Sequence, residues 1–213
     1  MLGLDLATLL ARAVVLLVAF TIHELSHAVV ADWLGDPTPR NMGRITLNPL
    51  AHLDPMGTIA LLIAGFGWAK PVMVNPYNLR GNPRTSMAIV AAAGPVSNLL
   101  MAVLFVLPMR FGLMGFEGFF GNSGGQLPSL SFLVAQFIWI NLILMFFNLI
   151  PIPPLDGYKV LTGILPPEMS YRLRPLEQYG FIILLVAVFL IPQVLSVLVM
   201  TPTQSFLGFL LGF

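Results

Sequence analysis

Cysteine is absent from the 213-residue chain. Disulfide frameworks, thiol catalysis and Cys-ligated zinc are excluded with it, so any metal has to be held by His and carboxylates. Charge is scarce as well. Asp, Glu, Lys and Arg together make up 9% of the residues, against about 25% in an ordinary soluble domain. That scarcity excludes a soluble globular domain, a disordered chain and a nucleic-acid binder. The formal net charge of +1 points to no partner. Histidine occurs three times, at His23, His27 and His52.

What the chain does contain is apolar surface, 57% of its residues. Four segments reach the length of about 20 residues needed to span a bilayer: Leu6 to Trp33, Ser86 to Met109, Leu130 to Ile150 and Gly180 to Met200. The first has a weak n-region, with Asp5 and a lone Arg12, and carries polar residues pointless in a discarded leader, so it is not read as a signal peptide. The apolar tail after Pro202 is read as interfacial or packed on the bundle. The stretch Gly57 to Ala69, with Gly57, Gly65 and Gly67, is too short to span. Strand-like runs at 44–47 and 70–74 flank it, so residues 41–78 are expected to form a membrane-dipping hairpin. The expected fold is an all-α polytopic membrane protein of about four transmembrane helices plus a re-entrant β-hairpin-like segment, one embedded domain over residues 1–213. Loops 34–85 and 151–179 hold eight of the ten Lys and Arg. The positive-inside rule puts these loops in the cytoplasm.

Inside the first span stands His23-Glu24-Leu25-Ser26-His27. Two His at i and i+4 share one helical face, so their imidazoles can reach one metal ion. Glu24 is about 100° around the helix, within reach of a water at that metal. Random placement of three His and four Glu yields this pattern in roughly one such chain in a thousand. Ionisable residues within a membrane helix are functional by default; the alternative is polar glue between helices. A zinc site needs a third protein ligand and an open position. Asp156 is one candidate, in Asn148-Leu-Ile-Pro-Ile-Pro-Pro-Leu-Asp156-Gly157, where Pro151, Pro153 and Pro154 forbid a regular helix. His52 is the other, in His52-Leu-Asp54-Pro55-Met-Gly57, as a ligand, a group behind a ligand or an interfacial His. Asp54 before Pro55 reads as a turn former. Gly94 and Pro95 permit a bend and close helix approach. Asn98 either donates to a substrate carbonyl or bonds a neighbouring helix, and Asn141 reads as glue.

These segments resemble the site-2 protease family of intramembrane zinc metalloproteases: H-E-x-x-H at His23/Glu24/His27, G-P-x-x-N at Gly94/Pro95/Asn98 and N-x-x-P-x-P-x-x-D-G at Asn148/Pro151/Pro153/Asp156/Gly157. The motifs extend from residue 23 to 157, about two-thirds of the chain. The resemblance implies that His23, His27 and Asp156 hold one Zn2+, that Glu24 is the general base, and that Asn98 and Asn148 contact substrate or the oxyanion. It favours Asp156 over His52. It implies a minimal member without PDZ or CBS domains.

The expected function is a zinc endopeptidase in the bilayer of a prokaryotic plasma membrane. It would cut in or near transmembrane segments of membrane proteins, with its active site nearer the cytoplasmic face. Because a helix hides its carbonyls, substrate must arrive unwound, and the edges of 44–47 and 70–74 are expected to receive it as an added strand. The competing reading is a divalent metal transporter using the same His/Asp site. Against it, ligands are confined to the first and third helices and Glu24 has no transport role. A structural or adaptor protein with relic residues is the third reading.

Overall fold

The computed structural model describes residues 5–64, 67–122 and 125–212. The described chain is helical: α1 Leu6–Trp33, α2 Thr38–Asn41, α3 Pro55–Ala64, α4 Pro83–Arg110, α5 Leu130–Asn148, α6 Asp156–Ile164, α7 Pro167–Leu173, α8 Pro175–Phe189 and α9 Pro192–Leu211. Four of these, α1, α4, α5 and α9, are long and apolar enough to cross a membrane. The protein is an integral membrane protein.

Local chemistry sets the ends of the helices. Asp5 caps α1 by accepting from the Thr8 N–H at 2.7 Å, and Gly35, at φ 109°, turns the chain after the last residues of that helix. Asn82 caps α4 with Pro83 in the first turn, where a missing N–H costs nothing. Ser129 caps α5. The centre of the bundle is α4, which packs against α1, α5 and α6. Ala102, Val106 and Met109 of α4 meet Val134, Ile138 and Leu142 of α5 in one buried cluster.

Two expectations fail. The first is the hairpin. Among the described residues no strand forms at 44–47 or 70–74; the two sides are joined by an isolated bridge between Leu53 and Ala69, a Lys70 N–H to His52 carbonyl bond (2.8 Å) and the Arg44 guanidinium on the Lys70 carbonyl. Residues 65 and 66, including Gly65 of the expected tip, lie outside the described residues. The reason is proline at helix starts. Asn48 caps a 3-10 turn at Pro49–Ala51. Asp54, instead of making only a turn, accepts from the Gly57 N–H at 2.8 Å and starts α3, which absorbs the apolar run. A Cβ on Gly57 would come within 2.1 Å of the Trp68 carbonyl oxygen, so glycine lets the returning chain lie against α3.

The second is the fourth span. Gly180 to Met200 is interrupted at Ile191 (φ −131°, ψ 52°), because Pro192 has no N–H and forces its predecessor out of the helix. The apolar residues divide into the 15-residue α8 and the 20-residue α9. The tail after Pro202, expected to be interfacial or packed on the bundle, is the second half of α9, and its Phe206, Leu207, Leu210 and Leu211 pack on the α4–α5 cluster. Its C-terminal turn meets the end of α4, where Arg110 Nη1 donates to the Leu210 carbonyl at 3.1 Å.

Candidate active site

Four elements converge on the H-E-x-x-H turn of α1. His23 and His27 face α4, and both are buried. Asp156 opens α6 just past the proline-rich exit from α5. Two close contacts set its position. Gly157 lies so near the α5 exit that a Cβ would be 2.2 Å from the Leu149 carbonyl oxygen. At the other end of α6, a Cβ on Gly163 would be 2.4 Å from the Ala88 Cβ, and Arg84 of α4 donates to the Thr162 and Leu165 carbonyls at 2.7 and 2.5 Å. That guanidinium caps the orphan carbonyls of α6 and docks it on α4.

The three side chains meet as a triangle. His23 Nε2 is 3.1 Å from Asp156 Oδ2, His27 Nε2 is 3.3 Å from the same oxygen, and the two Nε2 atoms are 3.1 Å apart. Their outward nitrogens determine which tautomer each ring adopts. His27 Nδ1 is 2.7 Å from the Val90 carbonyl, which can only accept, so Nδ1 carries the proton. A relay sets His23 likewise. Asn141 Nδ2 donates to the Phe137 carbonyl at 2.8 Å, which turns Asn141 Oδ1 towards Asn98. Asn98 Nδ2 donates to that oxygen at 2.8 Å, and Asn98 Oδ1 accepts from His23 Nδ1 at 2.6 Å. Both inward nitrogens then present lone pairs, beside a carboxylate oxygen. Three acceptors facing one another with no proton between them are a donor set for a cation.

The dimensions suit zinc. Ligands bound tetrahedrally at about 2.0–2.1 Å lie about 3.3–3.4 Å apart, close to the observed edges. Gly94 leaves this room. A Cβ there would fall 2.5 Å from His23 Nε2 and 2.5 Å from His27 Nε2. The donor set and the space in front of it fit the metal.

Glu24 lines the same cavity, of about 770 Å³, together with His23, His27, Asp156 and Asn148. Its Oε2 accepts from the Val72 N–H at 3.2 Å. Arg44, 3% exposed, lies 3.8 Å from that oxygen and donates to the Lys70 carbonyl. Asn148 donates to the Leu144 carbonyl at 2.9 Å and lines the cavity. The cavity extends well beyond the triangle. It follows a four-residue stripe on α1, Arg12, Leu16, Phe20 and Glu24, and a matching stripe on α5, Gln136, Ile140, Leu144 and Asn148. Gly67, Trp68, Ala69, Pro71, Val72 and Val74, with Phe181 of α8, also line it.

Two expected site residues do not line the cavity. His52 is outside the ligand cluster. It is fully buried, and its Nε2 donates to the Thr46 carbonyl at 2.9 Å, which ties loop to loop. Asn98 is also fully buried, with oxygen and nitrogen engaged by His23 and Asn141, and it is not among the cavity's lining residues. The expected substrate contact gives way to a hold on the imidazole. The sequence reading missed Arg44. Its signal is a lone guanidinium flanking the apolar segment, where burial demands a partner.

A family model described as Peptidase family M50 matches residues 124–192. A protein of Bacillus subtilis named "Putative zinc metalloprotease YwhC" is 46% identical over 178 residues, covering 81% of this chain and 77% of the relative. The chain belongs to peptidase family M50, the site-2 protease family. This M50 peptidase is also similar to proteins carrying the same zinc-metalloprotease title in Mycolicibacterium smegmatis (Rip2; 32% identity, 80% of this chain, 63% of the relative) and in Methanocaldococcus jannaschii (MJ0611; 33%, 67% and 64%). It spans a little under two thirds of those two. No solved structure gives a significant match. Membership makes it a metalloprotease and leaves the transporter reading without support.

Proposed function

We propose that this M50 peptidase holds one zinc ion per chain on His23, His27 and Asp156 and hydrolyses peptide bonds in or near transmembrane segments of membrane proteins. The observation that carries the reading is the triangle of Nε2, Nε2 and Oδ2 at 3.1–3.3 Å, set among membrane-spanning helices with Glu24 on the cavity side. When bound, zinc polarises the scissile carbonyl and acidifies the attacking water.

Glu24 is the general base. It accepts the proton of the attacking water and delivers it to the departing amine. The Val72 N–H holds one of its oxygens, which leaves the other for the proton. Asn148, with a spare N–H at the cavity wall, donates to the oxyanion that develops on the substrate. Asn98 keeps the His23 proton on Nδ1 and so acts as a positioning residue.

The site lies about 9–15 Å along α1 from its C-terminal end. The Lys- and Arg-rich loops follow that end, which supports an active site nearer the cytoplasmic face. Water enters from there, and the lipid-facing substrate enters through the cavity between α1 and α5.

The test is cleavage of a single-span model substrate by the purified full chain in detergent or liposomes, with the cut mapped by mass spectrometry. A cut within or at the edge of the apolar segment, absent from Asp156→Ala, is the expected result. Cleavage confined to soluble peptides would overturn the intramembrane reading.

A further inference from the structure

The geometry points to a carboxylate subsite at the mouth of the cavity, where Lys159 binds an acidic group of the substrate close to the scissile bond. This inference rests on the protease reading and adds a determinant of which segments are cut.

The placement follows from α6. Asp156 opens that helix at the triangle of ligand atoms, Lys159 follows about one turn later, and both line the cavity. Residues three apart on a helix have Cβ atoms about 5–6 Å apart. Four side-chain bonds of about 1.5 Å each then let the ammonium stand up to about 10 Å from the Asp156 carboxylate. The helix runs from the triangle towards the start of α4, because Gly163 near its other end lies against Ala88 and the Arg84 carbonyl. α4 begins where the Lys- and Arg-rich loop ends. Lys159 therefore stands between the reaction centre and the side of the membrane that holds this loop.

The wall around it is apolar. Val74 and Met87, packed with the buried Val90, line this end together with Pro154 and Leu155. The acids nearby are already answered. Asp156 faces the two imidazoles at 3.1 and 3.3 Å. Glu24 has the Val72 N–H and Arg44. Glu177 accepts from the hydroxyl of Tyr158, the residue before Lys159, at 3.0 Å. The Lys159 ammonium has no hydrogen bond or ion pair among the described residues. Its exposure leaves it accessible to an incoming chain. Arg12, also on the cavity wall, is twelve residues before Glu24, about 18 Å away along α1. A single unanswered cation beside apolar walls concentrates its field on whatever passes it.

The reach of Lys159 sets a register. A substrate extended at the reaction centre advances about 3.3 Å per residue, so about 10 Å corresponds to one to three residues from the cut. A carboxylate there is attracted, an amide is indifferent, and Lys or Arg is repelled. The carboxylate is an Asp or Glu side chain, or the substrate's own C-terminus where the chain ends at that point.

The experiment places Glu, Gln or Lys singly at each of about six positions on either side of the cut in one Leu/Ala transmembrane substrate in detergent. The zinc-loaded full chain is compared with Lys159→Gln and Lys159→Glu. The readout is the ratio of Glu to Gln cleavage at one position within each protein, so a variant's loss of folded enzyme cancels. Wild type should favour Glu about fivefold at one to three residues on one side of the cut, and molar salt should erase the preference. Lys159→Gln should abolish it, and Lys159→Glu should convert it into a preference for Lys. A second arm ends the substrate two residues beyond the cut as a free acid or as an amide. A Lys159-dependent preference for the free acid alone assigns the subsite to a chain terminus, and one for Glu alone assigns it to a side chain. Equal cleavage of the Glu and Gln substrates and of the acid and amide ends would overturn the subsite, as would a Glu preference that survives in Lys159→Glu. Failure to cut even the Gln substrates would instead overturn the protease reading itself.

Discussion

Two regions of the molecule are built on opposite plans. The ligand core, where α1, α4, α5 and α6 meet, is dense and bonded throughout. Glycines at 94, 157 and 163 bring backbones together, and each inward ligand atom is backed by an outward hydrogen bond or a docked helix. The rim, residues 41–78 with α8 and α9, is thinly attached. Only 11% of the most apolar window of α9 is buried, against 33–44% in α1, α4 and α5. The rim segment at 67–74 is held to the core by the Val72 N–H bond to Glu24, and Arg44, itself in the rim and 3.8 Å from Glu24, ties the Lys70 carbonyl to the same point. The difference follows from the two tasks. A metal site works when its ligands cannot move, whereas a bulky substrate enters where packing yields.

Removing a ligand attacks the dense side most directly. Asp156→Ala should abolish cleavage and weaken zinc binding by several orders of magnitude, read as zinc content after dialysis against a graded chelator. Next comes Gly94→Ala. Its methyl group would intrude to 2.5 Å from both imidazoles, so zinc content should fall sharply while the helical circular dichroism stays near wild type. An unchanged zinc content would show that the close approach of α4 is dispensable. Asn98→Leu is expected to lower zinc affinity by about 10–100-fold. Asn141→Leu should show the same sign with a smaller effect, because it acts one bond further back.

On the thin side the sign should differ. Arg44→Met removes the clamp on the Lys70 carbonyl, and the expected outcome is a raised KM with zinc content intact. A loss of zinc there would erase the distinction between core and rim. The smallest effect belongs to Asp36, which ties the chain after α1 to Asn75 and Asn78 at 2.7 and 2.9 Å. Burial pushes its carboxyl up, but bonds from Thr38, Asn78 and Asn75 outweigh that and hold it below the usual range. Its stabilising contribution is therefore complete above the ordinary carboxylate range and is lost as pH falls through the lowered value. Asp36→Asn should flatten the acid limb of a thermal-melting profile and leave zinc content unchanged.

The same division governs what the sequence makes legible. His23, Glu24 and His27 could be read directly because helical periodicity alone puts them together. Three prolines announce the chain's exit from α5 and made Asp156 a candidate beside His52; the resemblance to the site-2 protease family favoured Asp156. Glue between helices was legible for Asn141 and was one of two readings of Asn98, but that the two amides pair and aim at His23 was not, since amides 43 positions apart look alike until packing pairs them. The close approach at Gly94 was legible, but not that the two imidazoles face it across the interface. At the rim, short apolar runs carry no period that separates helix from strand, so α3 was expected as part of a hairpin. Pro192 could have divided the last span, but an uninterrupted apolar run outweighed one breaker.

The most direct test of the account is zinc per chain and cleavage of a transmembrane substrate, measured on the same preparations of wild type and Glu24→Gln. The account predicts one zinc per chain in both, cleavage by wild type, and a loss of at least about 10²-fold in Glu24→Gln. A wild-type chain that takes up no zinc under metal-replete conditions, or a Glu24→Gln chain that cleaves at the wild-type rate, would contradict it.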